Sequence, residues 1–464
     1  MNAPLSADFV NGDVSFWYRA MGVPEPGASL PGDVAADVAI VGAGYTGLWT
    51  AYYLKRADPS LRIAVLEKEF AGFGASGRNG GWLTGALAGS PDRYAKTHGR
   101  DPVKRLQRAM FGAVDEVVAV AAAEGIDADI VKGGIVNVAR SPAQAARLRA
   151  EYDDQRSWGW TEDDVRLLDA AELGKRLTIA GAYGGTWSPH CARIQPARLA
   201  RGLAKAVRDL GVEIFERTPV TAIAPGKAVT PYGTVRAERV LRCTEGFTAG
   251  IGGHHRDWLP MNSSMIVTEP LRDWDEIGWD GRELLGDMAH YYMYAQRTAD
   301  DRIAFGGRGR PYLYGSRVDD RGHTHAWTVD ALWALLTAFF PAAASSRVAH
   351  AWSGVLGVPR DWCATVGLDP ATGLGWAGGY TGHGVATTNL AGRTLCDLVL
   401  GRRSELVDLP WVGRKVRRWE PEPLRWLGVH AMYRLYRMAD ARETRAASPA
   451  TSPLARLADL ITGH

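Results

Sequence analysis

The sequence predicts an α/β fold that contains a strand–turn–helix–strand unit, and three observations near the amino terminus support this. Residues 37–41 form a short β-branched run that is typical of a buried strand. Residues 42–47 follow with glycine at three of six positions, and 48–56 has helical character. A second apolar run at 62–66 completes a strand–turn–helix–strand unit of about 30 residues, the building block of doubly wound sheets.

Length and composition limit the class of protein before any motif is considered. The chain has 464 residues, enough for two or three folding units, and its 46% hydrophobic and 23% charged content is typical of globular proteins. There are 54 basic and 51 acidic residues, and the net charge of +3 argues against a dedicated nucleic-acid-binding protein.

Cysteine usage and hydropathy favour a cytoplasmic protein with free thiols and no bound metal. The four cysteines are Cys191, Cys243, Cys363 and Cys396, and no two form a C-x-x-C pair. The pairs His254–His255 and His323/His325 have no third metal ligand at a suitable spacing. Residues 1–10 lack the regions of a signal peptide, and the longest apolar run, 117–123, is far shorter than a membrane span of roughly 18–20 residues.

Apolar periodicity, together with start and stop signals, predicts the remaining elements. Asp101–Pro102 marks the start of a long helix, and Pro341 ends another. Helices are predicted over 103–123, 195–210, 329–340, 385–400 and 424–441. Strands are predicted over 133–139, 212–215, 235–243, 291–294 and 302–306. Residues 1–32 are turn-rich, and the aromatic cluster at 15–18 is expected to hold them against the body.

The glycine-rich turn has the spacing of a dinucleotide-binding site. Gly42, Gly44 and Gly47 form G-x-G-x-x-G between a strand and a helix, and Glu67 ends the next strand. The glycines permit a tight turn, a close approach of pyrophosphate and helix–strand packing, while Glu67 would accept hydrogen bonds from ribose hydroxyls. Glu67 disfavours the 2′-phosphate of NADP but leaves NAD and FAD open. The alternative is a glycine-rich turn in an ordinary βαβ unit.

A second glycine-rich loop, at 72–81, follows Glu67 after only five residues. With this loop the sequence resembles the FAD-dependent family of D-amino-acid, glycine and sarcosine oxidases, and most of all its γ-glutamylputrescine oxidoreductase branch. The matching segments are 38–47, 65–68, 74–81, 195–199, 302–307 and 379–384. They span most of residues 15–400, and their combination is more specific than any one segment.

The resemblance implies a division of the chain and a set of cofactor contacts. A discontinuous FAD-binding domain of the doubly wound α/β type would comprise 33–98, 186–256 and 350–402, and a substrate domain on a mixed sheet would comprise 99–185 and 257–349. An arm, 1–32, and a helical tail, 403–464, would flank them. Besides Gly42, Gly44, Gly47 and Glu67, the implied FAD contacts are Tyr45, Thr46, Lys68, Gly74, Ala75, Ser76, Arg78, Asn79, Gly80, Gly81, Val220, Thr244, Gly246, Gly354, Gly382, His383, Gly384 and Val385.

Two of these contacts have alternative interpretations, and two positions depart from the family pattern. Arg78 would hold phosphate or the flavin edge, or would only bond loop carbonyls. His383 would meet the flavin, or would only cap the following helix. The segment 352–354 has no cysteine where some sarcosine oxidases attach FAD, so non-covalent FAD is predicted. Ala304 stands where those oxidases use a lysine to activate oxygen, which leaves a dehydrogenase open.

The resemblance implies oxidation of a C–N bond in a small amine or amino acid. A hydride would pass to flavin N5, the imine would hydrolyse to an aldehyde or keto acid, and oxygen would be reduced to hydrogen peroxide. His383, Arg308 and Tyr292 are the catalytic candidates, with Arg308 available for a substrate carboxylate or phosphonate. Alternation in a strand puts Tyr292 and Tyr294 on one face, and Trp82 and Trp352 are further orienting candidates unless these rings are core residues.

Other functions and partners follow from weaker signals. A carrier-linked flavin dehydrogenase, a non-catalytic flavoprotein and an NAD-dependent dehydrogenase are the competing functions. The basic tail around Arg414, Lys415, Arg417 and Arg418 would suit an acidic surface, but Glu420 and Glu422 interrupt it. Trp411, Trp419 and Trp426 are expected to pack on the body. We therefore expect neither nucleic-acid nor membrane contact, and the sequence leaves the oligomeric state open.

Overall fold

The computed structural model describes residues 2–307 and 309–462. Its strands are β1 Leu5–Asn11, β2 Val34–Val41, β3 Ile63–Leu66, β4 Trp82–Thr84, β5 Ile135–Ala139, β6 Arg166–Leu168, β7 Gly184–Ser188, β8 Cys191–Arg193, β9 Glu213–Phe215, β10 Ala222–Ala224, β11 Lys227–Thr230, β12 Gly233–Arg242, β13 Leu259–Thr268, β14 Leu284–Asp287, β15 Met293–Arg297, β16 Ile303–Gly307, β17 Val348–Val358, β18 Thr365–Asp369 and β19 Leu374–Gly378. Its α-helices are α1 Phe16–Arg19, α2 Tyr45–Ala57, α3 Pro91–His98, α4 Arg100–Ala123, α5 Pro142–Ser157, α6 Ala170–Gly174, α7 Pro196–Asp209, α8 Ala326–Phe339, α9 Gly384–Val399, α10 Leu424–Ala446 and α11 Pro453–Thr462.

The first large sheet has a parallel centre of β12, β2, β3 and β9, with β19 also parallel to β12. Residues of β2 alternate between two cores. Val38 and Ile40 pack with α2, α4, α7 and α9, whereas Ala39 and Val41 pack on the opposite face with Phe215 and Val235. A strand buried on both faces explains the uninterrupted apolar run from which it was predicted.

The second large sheet is mixed and has nine strands in the order β1-β17-β13-β16-β15-β14-β5-β7-β6. One face packs on α8 through side chains such as Val138, Leu285 and Phe305. The other face carries Asn137 of β5 and Tyr294 of β15, which both pair with Gly286 of β14 between them. These residues line the large cavity described below. The mixed sheet therefore supplies one wall of the candidate site.

Several element boundaries differ from the sequence-based ones. The predicted arm contains β1, which pairs in parallel with β17 at the edge of the nine-stranded sheet. Strand β17 belongs to that same sheet, so a boundary at residue 350 divides a strand. Strand β15 begins at Met293, rather than at residue 291, because Asp287 Oδ1 accepts a bond from the Met293 N–H and closes a turn. Helix α10 continues to Ala446 and ends where Ala447 adopts a left-handed conformation.

The structure also shows the state of the cysteines and the length and apolar content of the helices. All four cysteines are free and buried. Among the described residues, no helix combines the length and the apolar content that crossing a membrane would require. Trp411 and Trp419 pack in the core, as expected, and Trp426 packs partly against it.

Candidate cofactor-binding and active site

A cavity of about 1180 Å³ lies among residues from both large sheets. Its walls include Gly42, Glu67 and Val220 from the parallel sheet and its loops, and Trp82 and Tyr294 from the opposite side. A cavity of this size, lined by a glycine-rich turn and by several aromatic rings, has the character of a cofactor and substrate site.

The glycine-rich turn leaves no room for side chains at its three glycines. Gly42 has a φ of +103°, and a Cβ there would lie 2.6 Å from the Cys243 carbonyl oxygen. A Cβ on Gly47 would overlap the Gly42 carbonyl oxygen, and one on Gly44 would press on Ser76 Oγ. Helix α2 begins directly after Gly44, and its first N–H, from Tyr45, donates to Ser76 Oγ at 2.8 Å. The turn thus brings bare backbone and a helix N-terminus to the cavity.

Glu67 directly follows β3 and lines the same cavity. Its Oε2 accepts from the Ala43 N–H at 2.8 Å, and its Oε1 accepts from the Glu69 N–H at 3.0 Å. Burial raises the pKa of Glu67 to about 7, although these two bonds favour the charged form. Each carboxylate oxygen keeps acceptor capacity, so Glu67 can still bind ribose hydroxyls.

The loop at 74–81 is held by its carbonyl oxygens. Four consecutive carbonyls each accept a hydrogen bond from a different and sequence-distant side chain. The pairs are Ser15 Oγ to Gly77 at 2.7 Å, Trp352 Nε1 to Arg78 at 2.8 Å, Trp17 Nε1 to Asn79 at 2.8 Å and Gln296 Nε2 to Gly80 at 2.6 Å. The amino-terminal segment and the mixed sheet therefore jointly fix a loop of the parallel-sheet half of the molecule.

Arg78 stabilises the same loop through hydrogen bonds to backbone carbonyl oxygens. Its Nε donates to the Phe73 carbonyl at 2.9 Å, and its Nη2 donates to the Asp320 carbonyl at 2.6 Å. Only 4% of the residue is exposed, and burial lowers its pKa to about 10. These hydrogen bonds agree with the interpretation in which Arg78 binds loop carbonyls. Arg78 also lines the cavity, so the same residue can contact a bound cofactor.

A third segment, 379–385, meets the cavity at the start of α9 and is held by Glu245. Glu245 Oε1 accepts from the N–H groups of Gly379 at 3.0 Å and Tyr380 at 2.9 Å, and Oε2 accepts from Gly357 N–H. Burial raises the pKa of Glu245 to about 7. Tyr380 Oη is in turn 3.0 Å from Thr46 Oγ1, which links this segment to the glycine-rich turn.

His383 does not act as a side-chain cap. It is the N-cap residue of α9 by position, but its ring makes no capping bond among the described residues. Its Nδ1 is buried with no described partner, and the residue lines the cavity. Burial lowers the pKa of His383, so the ring is uncharged at neutral pH. The capping alternative is therefore wrong, and the ring lies on the cavity wall with Nδ1 unpaired among the described residues.

Most predicted contact residues lie on the cavity wall. Gly47 and Gly81 do not line it, and their role is to allow close packing next to the wall. Gly81 has a φ of +72°, and a Cβ there would overlap Gln296. Arg308 lies outside the described residues. The predicted residues that do line the cavity are Gly42, Gly44, Tyr45, Thr46, Glu67, Lys68, Gly74, Ala75, Ser76, Arg78, Asn79, Gly80, Val220, Thr244, Gly246, Tyr292, Gly354, Gly382, His383, Gly384 and Val385.

Aromatic rings form the wall beside Gly80. Tyr292 and Tyr294 have ring centroids 6.5 Å apart, and Trp82 meets Tyr294 edge-on at 5.9 Å. Tyr294 fits because Gly80 and Gly306 have no Cβ, and its hydroxyl is 2.8 Å from Ser263 Oγ. Trp352, by contrast, is fully buried and does not line the cavity, so for this residue the core interpretation holds.

Sequence reasoning missed several residues that shape the site. Glu245 could have been found, because it follows the carboxyl end of a parallel strand, where doubly wound folds place their functional groups. Ser15 and Trp17 belong to the 15–18 cluster that was expected to hold the amino-terminal segment against the body. Their partners, and the contact of Gln296, were not predicted, because bonds to the 77–80 carbonyls depend on contacts between distant parts of the chain.

Known proteins share both the sequence pattern and the fold. The model of the family described as FAD dependent oxidoreductase (DAO) matches residues 37–398. Gamma-glutamylputrescine oxidoreductase from Escherichia coli is 30% identical over 83% of this chain and 89% of its own length. Glycine oxidase from Bacillus subtilis is 25% identical over 81% of this chain and 95% of its own length. The crystal structure of glycine oxidase from Geobacillus kaustophilus has a TM-score of 0.67 at 22% identity and covers 80% of this chain and 96% of that one.

The parallel sheet, the glycine-rich turn and the acidic strand end define a dinucleotide-dependent oxidoreductase fold. The chain belongs to the FAD dependent oxidoreductase (DAO) family. FAD is the cofactor of this family, and the residues present fit it. Gly42 and Gly44 leave backbone without side chains at the cavity wall, where a Cβ would clash with the Cys243 carbonyl oxygen or press on Ser76 Oγ. His383 also lies on this wall, and its buried Nδ1 has no hydrogen-bond partner among the described residues.

Proposed function

We propose that this protein oxidises a C–N bond of a small amine or amino acid, with oxygen as electron acceptor. The net reaction removes a hydride and a proton from the substrate, hydrolyses the imine to an aldehyde or keto acid, and reduces oxygen to hydrogen peroxide. The observation that carries the proposal is the aromatic wall of Trp82, Tyr292 and Tyr294, which adjoins the loop at Gly80. The names of the relatives, a gamma-glutamylputrescine oxidoreductase and glycine oxidases, agree with such substrates.

The side chains that line the aromatic part of the cavity suit an uncharged amine. The amine nitrogen has to lose its proton before its lone pair can assist C–H cleavage. Trp82 and Tyr294 offer flat apolar surfaces that orient an alkyl chain and displace water from it. His383 stays neutral because burial lowers its pKa, so it adds no positive charge to the site, and its Nδ1 is free for a hydrogen bond.

Bound FAD would supply the two-electron acceptor. We propose that Gly42, Gly44 and Glu67 hold its nucleotide half, and that the loop around Gly80 and the start of α9 at Gly384 hold the flavin half. The N-terminus of α9 carries the positive end of a helix dipole, which stabilises negative charge placed near it. Glu245 keeps this helix start in position through the N–H groups of Gly379 and Tyr380.

We further propose that FAD binding is non-covalent. Cys191 and Cys243 are the two thiols on the cavity wall, and burial raises the pKa of each to about 12. A protonated thiol is a poor nucleophile. Four buried free thiols also suit a reducing compartment, so we propose a cytoplasmic enzyme.

A carrier-linked dehydrogenase is the second candidate. The family resemblance gives Ala304 the position where sarcosine oxidases use a lysine to activate oxygen, but Ala304 is fully buried on β16 among apolar side chains that include Trp352 and Met265 and does not line the cavity. The rate at which air reoxidises the reduced enzyme therefore decides between oxygen and a carrier.

An absorbance spectrum followed by anaerobic titration with amines and amino acids tests the proposal. We expect a flavin band that one substrate class bleaches, and fast return of colour when air is admitted. Slow return in air with fast return on adding a dye acceptor would identify the dehydrogenase. A flavin band that no amine or amino acid bleaches would contradict amine oxidation, and a protein that binds no FAD would contradict the whole assignment.

A further inference from the structure

The cavity extends beyond the aromatic wall, along one face of the mixed sheet. Four residues in register on the neighbouring strands β15, β14, β5 and β7 line it, because Tyr294 pairs with Gly286, Gly286 with Asn137, and Asn137 with Thr186. Neighbouring strands lie about 4.8 Å apart, so the lining from Tyr294 to Thr186 is about 14 Å long. A small amine held at the aromatic wall would therefore leave the far end of the cavity unfilled.

His190 lies at this far end, two residues after β7, and lines the cavity. Its ring stacks on the ring of Phe111 in α4, with centroids 3.6 Å apart and an angle of 9° between the planes. Its Nε2 lies 2.9 Å from Asp164 Oδ1. A ring that is held on one face and at one nitrogen presents its other nitrogen, Nδ1, in a fixed direction.

Asp164 determines which nitrogen of His190 carries the proton. Its side chain is 4% exposed and accepts from Arg108 Nη1 at 2.6 Å, from Arg108 Nη2 at 2.8 Å and from the Thr161 N–H at 2.7 Å. Burial alone would raise the pKa of Asp164, but these bonds hold it well below its ordinary value. Asp164 can therefore only accept, and His190 Nε2 has to donate to it. Burial lowers the pKa of His190, so at neutral pH the ring is uncharged and Nδ1 is an acceptor.

The Nδ1 atom of His190 is open to a ligand. Among the described residues, the only hydrogen bond of the ring is the one from Nε2 to Asp164. The side chain is 21% exposed, and Nδ1 is not one of the polar atoms that the protein encloses without a partner. In this respect it differs from Nδ1 of His383, which is enclosed. An acceptor with an open surface on a cavity-lining residue is a binding point for a donor on the substrate.

The charges around the far end favour a cation. The cationic side chains near it are each paired with a carboxylate: Arg108 with Asp164, Lys132 with Asp115, and Arg147 with Glu443. Glu151 and Asp287 also line the cavity, and neither forms an ion pair among the described residues. Burial raises the pKa of Asp287 to about 7 and also raises that of Glu151, and a cation placed nearby would favour their charged forms.

We propose that His190 accepts a hydrogen bond from a second, protonated amine of the substrate, at the end of the cavity away from the oxidised amine. This inference rests on the proposed amine oxidation and narrows it to elongated substrates with an amine at each end, α,ω-diamines and longer polyamines. Asp164 and Phe111 are positioning residues, because they fix the proton and the plane of the His190 ring. The ring of Trp160, which meets Phe111 edge-on at 4.9 Å, adds an aromatic surface for the cation.

The test compares α,ω-diamines of increasing length with alkylamines of the same length, by anaerobic reduction of the flavin in the FAD-loaded enzyme. For diamines long enough to reach His190, we expect the second amine to lower the half-saturating concentration roughly tenfold or more, and for shorter ones to have no such effect. His190→Leu should make the diamine and the alkylamine of each length equivalent. His190→Asn should keep part of the difference, because its amide oxygen can replace Nδ1 as acceptor. His323→Leu, which removes a half-exposed histidine beside Asp319, should behave as the wild type.

Calorimetric titration of the same holoenzymes after reduction with dithionite gives a readout without turnover, since reduced flavin cannot accept a hydride. We expect the preferred diamine to bind the wild type and His323→Leu, and to bind His190→Leu at least tenfold more weakly. No diamine binding to the wild type, no advantage of any diamine over its alkylamine, or an advantage that survives His190→Leu would overturn the proposal. If no amine bleaches the oxidised flavin but diamine binding depends on His190, amine oxidation fails and the diamine site stands.

Discussion

The indole Nε1 of Trp17 donates a 2.8 Å hydrogen bond to the carbonyl oxygen of Asn79. Trp17 lies in α1, near the amino terminus, and Asn79 lies in the loop that borders the cavity. The indole is 2% exposed, so water does not replace this bond when it is lost. The short helix therefore acts as a support for the proposed flavin loop.

Replacement of Trp17 by Phe should weaken FAD binding. Phenylalanine keeps an aromatic ring, although a smaller one, but the Asn79 carbonyl loses its donor, and an unsatisfied buried acceptor costs about 1–3 kcal/mol. We expect the Kd for FAD, measured by fluorescence quenching of the flavin on adding apoprotein, to rise about tenfold. Trp327→Phe is the control, because Trp327 is 48% exposed and should leave the Kd unchanged. Equal Kd values for wild type and Trp17→Phe would mean that the loop keeps its shape without this bond.

Gly47 should tolerate no side chain, although it does not touch the cavity. A Cβ at this position would overlap the Gly42 carbonyl oxygen, and would force α2 away from the turn. We expect Gly47→Ala to lower the free energy of unfolding by about 1–3 kcal/mol and to reduce FAD affinity. Gly112→Ala is the matched control, since no atom lies within 4 Å of its Cβ in the middle of α4, and it should be neutral or stabilising. Urea unfolding and FAD titration of both variants decide the matter, and an unaffected Gly47→Ala would refute the packing argument.

The predictable parts of the site are those whose residues lie close together in the sequence. The turn at 42–47 and Glu67 lie within one βαβ unit, so their spacing alone indicated the nucleotide site. The bonds of Ser15, Trp17 and Gln296 to the 77–80 carbonyls join residues at least 62 positions apart, and nothing in their local sequence indicates a partner. Glu443 is a similar case, because its helix was predicted to end at residue 441 and its contact with Arg147 was not predicted. Strand β1 was missed because it is an edge strand with little burial, so its apolar signal is weak.

Acid precipitation of the purified holoenzyme should release all of its yellow colour into the supernatant. The cavity-lining thiols of Cys191 and Cys243 have a pKa that burial raises to about 12, so neither is ionised at neutral pH and neither would attack a flavin methyl group. The supernatant and the washed pellet are compared by absorbance. Colour that stays in the pellet would show a covalent link, and Cys243→Ser would then identify whether this thiol carries it.

Glu67 should make the flavin-free protein less stable as pH rises from about 5 to about 8, whereas His190, His350 and His383, whose pKa values burial lowers, contribute the opposite slope below about pH 6.5. Burial raises the pKa of Glu67 to about 7. The unfolded chain, with an ordinary glutamate, loses its proton near pH 4.3, so between these values the folded state binds more protons. The stabilising contribution is therefore complete below about pH 4.3 and is lost as pH rises through about 7.

Glu67→Gln should remove the contribution of Glu67, because glutamine does not titrate. The contribution is at most about 4 kcal/mol for one group, and Glu245 and Asp287, whose pKa values burial also raises to about 7, keep their own contributions of the same sign. Urea unfolding of both apoproteins across this pH range measures it. Adding FAD to the wild type should reduce the slope as well, because ribose hydroxyls that donate to Glu67 favour its charged form. A slope that is the same in wild type and Glu67→Gln would show that Glu67 is already ionised in the folded apoprotein.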